Sequence, residues 1–190
     1  VWVQLDENMY AADSRSNAVA PPIINREPNF VGGFVLERVG VLRAARAGAK
    51  AVSAPLPYRV NATMMRVELD RPLPPKGVIE FDVAWHNMVP RQGRTGREKF
   101  PEGWLYEIAQ WYPRMCVYDD VHGWNTLPYI GAGEFYLEYG DFDVRLTVPG
   151  GFLVVAGLAY LFHGQMPKSV QKVLVIPQAI RPEPWYLLVP

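Results

Sequence analysis

One cysteine, Cys116, stands among 190 residues, which excludes an internal disulfide and any multi-cysteine metal site. Neither charge sign is in excess. Nineteen Lys and Arg balance nineteen Asp and Glu, so nothing electrostatic singles out nucleic acid or an anionic membrane surface as the main partner. No apolar run approaches the ~20 residues that cross a bilayer. No signal peptide is visible either. The chain begins at Val1, already inside an alternating pattern, and this reads as a processed or truncated start. Histidine is scarce: His86, His122 and His163 include no pair four apart. The zinc helix of the His-Glu-x-x-His kind, which needs two imidazoles on one helical face, is therefore missing. Also missing are the ligand spacing of an EF-hand, the Gly-x-Ser-x-Gly elbow of serine hydrolases, internal repeats and heptads.

What is present suits one globular domain. The chain is 49% apolar and 20% charged, and a domain of this length buries roughly 70% of its unfolded surface. Period-two alternation recurs. Val1, Val3 and Leu5 oppose Trp2, Gln4 and Asp6; Met65, Val67 and Leu69 oppose Arg66, Glu68 and Asp70; Ile79, Phe81, Val83 and Trp85 oppose Glu80, Asp82, Ala84 and His86. Phe34–Leu42 and Phe142–Val148 read the same way, and Phe152–Ala156 as a short buried strand. The polar run after Asp6 reads as a connection, and Pro90–Gly103 as a long basic loop. The Pro/Gly-rich stretch Arg71–Gly77 predicts a hairpin between the two strands that flank it. The expectation is an all-β fold, an antiparallel β-sandwich or saddle-shaped sheet, over residues 1–156. Residues 157–190 hold neither period and form a divergent or truncated tail.

Aromatic residues crowd the stretch Trp104–Pro149, beside the carboxylates Glu107, Asp119, Asp120, Glu134, Glu138, Asp141 and Asp143. Rings such as Trp104, Trp111 and Trp124 suit either a sugar-stacking platform or a sheet core, and alternation after Gly133 assigns most of the later rings to the core. Glu134 and Glu138, two pleats apart, are separated by about 13 Å, beyond the roughly 6.5–9.5 Å of inverting glycosidases. Asp119-Asp120-Val121-His122 has metal-ligand chemistry, but adjacent loop carboxylates more often accept turn hydrogen bonds. The Arg91–Lys99 loop has phosphate-binding chemistry or is simply solvated. Cys116, between Met115 and Val117, suits an inert buried thiol. Asn61-Ala62-Thr63 fits a glycosylation acceptor, a short pattern often met by chance. No residue is assigned as catalytic or as a metal ligand.

One series of residues resembles a known family. Gln110-Trp111-Tyr112-Pro113-Arg114, Tyr118-Asp119-Asp120, Gly123-Trp124-Asn125, the run Gly133–Phe142 and Val148-Pro149 are similar to the N-terminal β-domain of aminopeptidase-N-like zinc metallopeptidases. The similarity is to a bacterial branch of the family, which includes leukotriene A hydrolase. The resemblance implies a non-catalytic β-domain packed on a separate catalytic domain, the partner that would carry zinc and the general base; no cofactor is expected in this chain. It also implies that Gln110, Trp111 and Tyr112 match a cleft segment that holds the amino terminus of a peptide substrate. Tyr112 stands where the family has Gln or Glu, so a neutral phenol replaces a stronger acceptor. Asp119 matches an acidic loop-tie. Periplasmic or extracellular location is implied by the same likeness. The runner-up is a stand-alone β-sandwich binding carbohydrate or protein, and a third reading is a purely structural interaction domain.

Overall fold

The computed structural model describes residues 1–15, 27, 29–43, 50–91, 96–128, 136, 140–149 and 152, and the backbone of 174–178. In chain order the strands are β1 (Trp2–Gln4), β2 (Val35–Arg43), β3 (Val52–Pro55), β4 (Tyr58–Asn61), β5 (Met64–Val67), β6 (Phe81–His86), β7 (Gly96–Phe100) and β8 (Gly103–Glu107). They continue as β9 (Arg114–Met115), β10 (Tyr118–Asp119), β11 (Gly123–Trp124), β12 (Arg145–Pro149) and β13 (Leu174–Gln178). A 3-10 helix follows β1 at Asp6–Tyr10. The fold is all-β. Among the described residues no helix is long and apolar enough to cross a membrane.

Two sheets share the main core. Strands β4-β5-β1-β9 form one and β3-β2-β6 the other, with antiparallel neighbours throughout. Val3 and Leu5 from the first chain segment, Met65 and Val67 from β5, Val39 and Val41 from β2, and Leu56 make a single buried cluster. Each strand contributes positions i and i+2, the alternation expected when one face of a sheet is buried. Full burial of a side chain such as Leu5 or Met65 contributes about 1.5–3 kcal/mol. At Gly40 the sheet leaves no room for a side chain: a Cβ there would lie 2.5 Å from Ser53 Oγ and 2.7 Å from the Ala54 carbonyl oxygen.

Three expectations change. The hairpin across Arg71–Gly77 does not form, because β5 pairs with β4 and β1 while β6 pairs with β2. Pro72, Pro74 and Pro75 offer no N–H donors where a tight ladder would have to start. The chain turns instead at Pro74–Gly77, where Gly77 N–H donates to the Pro74 carbonyl at 2.9 Å and Lys76 has φ 59°, and it crosses to the second sheet. The long basic loop becomes a hairpin in its second half, β7 against β8 with Phe100 opposite Gly103. Cross-strand pairing puts Arg97 and Lys99 on the same face as Tyr106 and Trp104. That face is held by cation–ring contacts, with Arg97 and Lys99 at 6.0 and 5.9 Å from the Trp104 ring. Charged residues therefore conceal the strand from a hydrophobicity pattern.

The polar connection after β1 is the third surprise: Asp6, Glu7, Asn8, Met9 and Tyr10 are all buried. Arg114, from β9, lies against Asp6. Its Nε donates to Asp6 Oδ2 at 2.7 Å, and its terminal nitrogen completes the ion pair. Asn8 spans two other segments, donating through Nδ2 to the Ala62 carbonyl at 3.0 Å and accepting from Phe34 N–H at 2.8 Å. Leu5 N–H donates to the Thr63 carbonyl at 2.8 Å. The short helix thus caps the two-residue β4–β5 loop.

Contacts divide the chain into two compact units, residues 1–138 with 185–190, and 139–184. In the second unit, β12 pairs in parallel with β13. The sequence reading of Phe152–Ala156, of the Glu134–Glu138 face apart from exposed Tyr136, and of most of the tail falls outside the described residues.

Arg114→Ala would leave the Asp6 carboxylate buried without its guanidinium partner and is expected to lower the free energy of unfolding by about 3–5 kcal/mol. Replacing both members together, Asp6→Leu with Arg114→Met, should recover most of that loss. Urea unfolding of the three proteins checks this, and equal losses in single and double variants would refute the coupling.

Candidate functional site

The segment 110–117 hangs from the N-terminal strand. Gln4 stands opposite Arg114 and Val3 opposite Met115 in the β1–β9 pairing, and Cys116 N–H donates to the Trp2 carbonyl at 3.0 Å. The three residues singled out by resemblance lie immediately upstream of this anchor. Trp111 is fixed through both backbone and ring. Trp85 Nε1 donates to the Trp111 carbonyl at 3.2 Å, and the two indoles lie 6.3 Å apart. Tyr112 packs edge-on against Trp111 at 5.2 Å. Trp85 is itself wedged edge-on against Phe34 at 6.2 Å, so this aromatic series runs back to the main core.

Gln110 adopts φ 49°, a left-handed conformation that costs an L-residue roughly 1–2 kcal/mol. Its side-chain oxygen is screened from solvent and accepts no hydrogen bond among the described residues. An amide oxygen in that state is short of a donor. Tyr112 lies beside Arg114 and Asp6. Burial pushes its phenol pKa up, Arg114 opposes the shift and Asp6 adds to it. The phenol is therefore neutral at physiological pH and supplies no countercharge. Together, the segment offers a desolvated amide acceptor and a neutral phenol on a clamped backbone.

The other sequence candidates separate. Trp104 lies in β8, Trp124 in β11 and Trp111 in the loop before β9, each with its own ring neighbour: Tyr106 at 6.2 Å, Tyr118 at 5.2 Å and Tyr112 at 5.2 Å respectively. Asp119 is a loop-tie, its Oδ1 accepting the N–H groups of Val121 at 2.9 Å and His122 at 2.6 Å. These bonds, His122 first, hold its carboxyl below the usual range. His86 Nδ1 meets Glu37 at 2.8 Å, and His163 lies outside the described residues. Among the described residues no three His, Cys, Asp or Glu side chains come together as a metal site.

Arg97 Nε donates to the Val89 carbonyl at 2.8 Å, and Arg91 N–H donates to Glu27 at 2.6 Å, so the basic hairpin uses part of its capacity internally. Residues 92–95 of that loop lie outside the described ones. In the Asn61-Ala62-Thr63 tripeptide, Asn61 is exposed but Thr63 is buried in the hairpin loop. Sequence reasoning did not anticipate the burial of Asp6 or the Arg114 contact, which joins residues 108 positions apart; no local pattern signals such a pair.

Against models of protein families, curated proteins and solved structures, the chain matches none.

Two predictions follow from this geometry. Cys116 is buried, and desolvation raises its thiol from 9.0 to about 11. A neutral thiol reagent at pH 8 should modify it far more slowly than in the urea-unfolded chain. The unfolded thiol loses its proton first as pH rises past 9, so the group's contribution to stability is lost between pH 9 and 11. Gln110→Gly removes the Cβ penalty and should stabilise the fold by about 0.5–1 kcal/mol, whereas Gln110→Val should destabilise it. A chemical-denaturation midpoint unmoved by either change would contradict the strain.

Proposed function

We propose that the chain is a non-catalytic N-terminal β-domain, or part of one, of a zinc metallopeptidase of the aminopeptidase type. It packs on the catalytic domain and helps hold the amino terminus of the peptide substrate through Gln110, Trp111 and Tyr112. The observation that carries this reading is Gln110: a strained backbone, locked by Trp85 and Trp111, holds an amide oxygen with an unfilled acceptor. Strain retained at a polar residue is a mark of a functional constraint, and a peptide ammonium is the donor that would fill the acceptor. Zinc and the general base belong to the catalytic domain in this reading, as the family resemblance implies. No chemical step is assigned to the chain itself.

A second reading, a stand-alone β-sandwich that binds carbohydrate or protein, draws support from exposed rings. Tyr118 is 62% and Trp104 37% exposed.

The test uses the chain alone and then paired with a zinc catalytic domain of the aminopeptidase-N type. Alone, it should hold no stoichiometric zinc by elemental analysis and cleave no aminoacyl reporter. In the pair, Gln110→Ala should raise KM for peptides with a free amino terminus roughly 10- to 100-fold, the value of one hydrogen bond to a charged group. Chelator-sensitive hydrolysis by the chain alone would overturn the proposal, as would a Gln110→Ala pair with unchanged kinetics.

A further inference from the structure

A hollow of about 510 Å³ opens beside the β10–β11 hairpin, lined by Asp119, His122, Trp124, Asn125, Thr126, Leu127 and Tyr136. Its size lies within the ~300–1,000 Å³ of small-ligand sites. The hairpin that builds it is tightly tied. Tyr118 pairs with Trp124 and Asp119 with Gly123, Gly123 takes φ 74°, and Asn125 N–H donates to the Val117 carbonyl at 2.8 Å. Asp119 and Asn125 each commit only Oδ1 to the loop, at Val121, His122 and, at 3.4 Å, Leu127.

The hydrogen-bonding capacity left over in this lining is large. Asp119 Oδ2, Asn125 Nδ2, Thr126 Oγ1, Trp124 Nε1 and the Tyr136 hydroxyl form no hydrogen bond within the protein among the described residues. They include acceptors, donors and hydroxyls that do both, beside two aromatic residues, Trp124 and Tyr136. Among the described residues no Lys or Arg lines the hollow, which disfavours an anionic ligand. Among the described lining residues Leu127 is the one aliphatic side chain, which disfavours a purely apolar ligand. A cation would have to share Asp119 with the His122 ring, whose Nδ1 stands 3.4 Å from Asp119 Oδ1. What matches rings plus mixed donors and acceptors is a neutral polyhydroxylated ring.

We propose that this hollow is a binding site for a neutral saccharide, stacked on Trp124 and hydrogen-bonded by Asp119, Asn125 and Thr126. The site shares no residue with the Gln110–Tyr112 segment, so it stands or falls independently of the peptidase reading. The test titrates the full chain with neutral oligosaccharides of glucose, galactose, mannose and N-acetylglucosamine, followed by calorimetry and by amide chemical shifts. At least one should bind with shifts centred on residues 119–127, and Trp124→Ala should weaken it by about tenfold or more. Because Trp124 also supports Tyr118, Thr126→Val serves as a second variant that keeps the side-chain shape; it should weaken binding several-fold with an unchanged unfolding midpoint. Gln110→Ala should leave the titration unchanged. The proposal is overturned if no saccharide of the set binds up to about 10 mM. It is equally overturned if both hollow variants bind as the parent does, if Gln110→Ala abolishes binding, or if only a sulfated oligosaccharide or tetramethylammonium binds.

Discussion

The pairing of Asp6 with Arg114 is the constraint on which the rest of the first unit depends. A carboxylate with no exposed surface, at the start of a fully buried helical turn, is tolerable only with a cation and hydrogen bonds at hand. Arg114 supplies both from 108 positions further along the chain. Its position in β9 sets it opposite Gln4 and so fixes where that strand lies against β1. The buried hydrophobic cluster includes no residue of β9, whereas the ion pair ties that strand to the segment after β1 at one place. Burial of charge therefore acts here as a specificity device, and the net stability it adds is modest compared with the cost of separating its members.

The parts of the fold that were legible in the sequence are those governed by one-dimensional periodicity. Val3 with Leu5, Val39 with Val41 and Met65 with Val67 repeat every second position, and each pair is buried in the same core. Which strand lies beside which is another matter. The alternation of Met65–Leu69 and of Ile79–Trp85 is silent about whether they pair with each other. Three prolines between them look like a turn signal, yet they remove the donors a tight hairpin would use. Strand β7 was hidden for a different reason: the cross-strand partners of Trp104 and Tyr106 are Lys99 and Arg97 respectively, and a cationic residue over an indole carries no hydrophobic signature. The buried helix was hidden because the cation paired with Asp6 is Arg114, a residue far along the chain.

The candidate segment shows the same division. Resemblance pointed to Gln110, Trp111 and Tyr112 as one segment, whereas aromatic crowding had marked only the ring of Trp111. The left-handed backbone at Gln110 and its unfilled acceptor are properties of three-dimensional placement. Trp85, a strand residue that looked like ordinary core, becomes the element that fixes Trp111 through its indole N–H. Asp119 was readable as a loop-tie because an Asp followed by turn residues has few other uses, and it accepts the two N–H groups this predicts. The hollow next to it was not readable. Its lining is a list of common polar residues until the hairpin curls them around a space.

Both functional readings meet at one structural point. Gln110–Tyr112 precedes Arg114 by a few residues, and the hairpin that frames the hollow follows it by a few more. Between them, Arg114, Cys116 and Val117 are held by the ion pair, by the bond to the Trp2 carbonyl and by the bond from Asn125. A segment clamped at its centre presents its two flanks with fixed geometry, and this suits binding, which weakens with every rotamer left to be ordered. The burial that makes the centre rigid also raises the Cys116 thiol and favours its protonated form, so both proposals concern the flanks of this stretch, with packing between them. Loss of the ion pair would loosen both flanks together, whereas changes at Gln110 or Thr126 act on one flank each. That asymmetry is what separates a shared scaffold from a shared site.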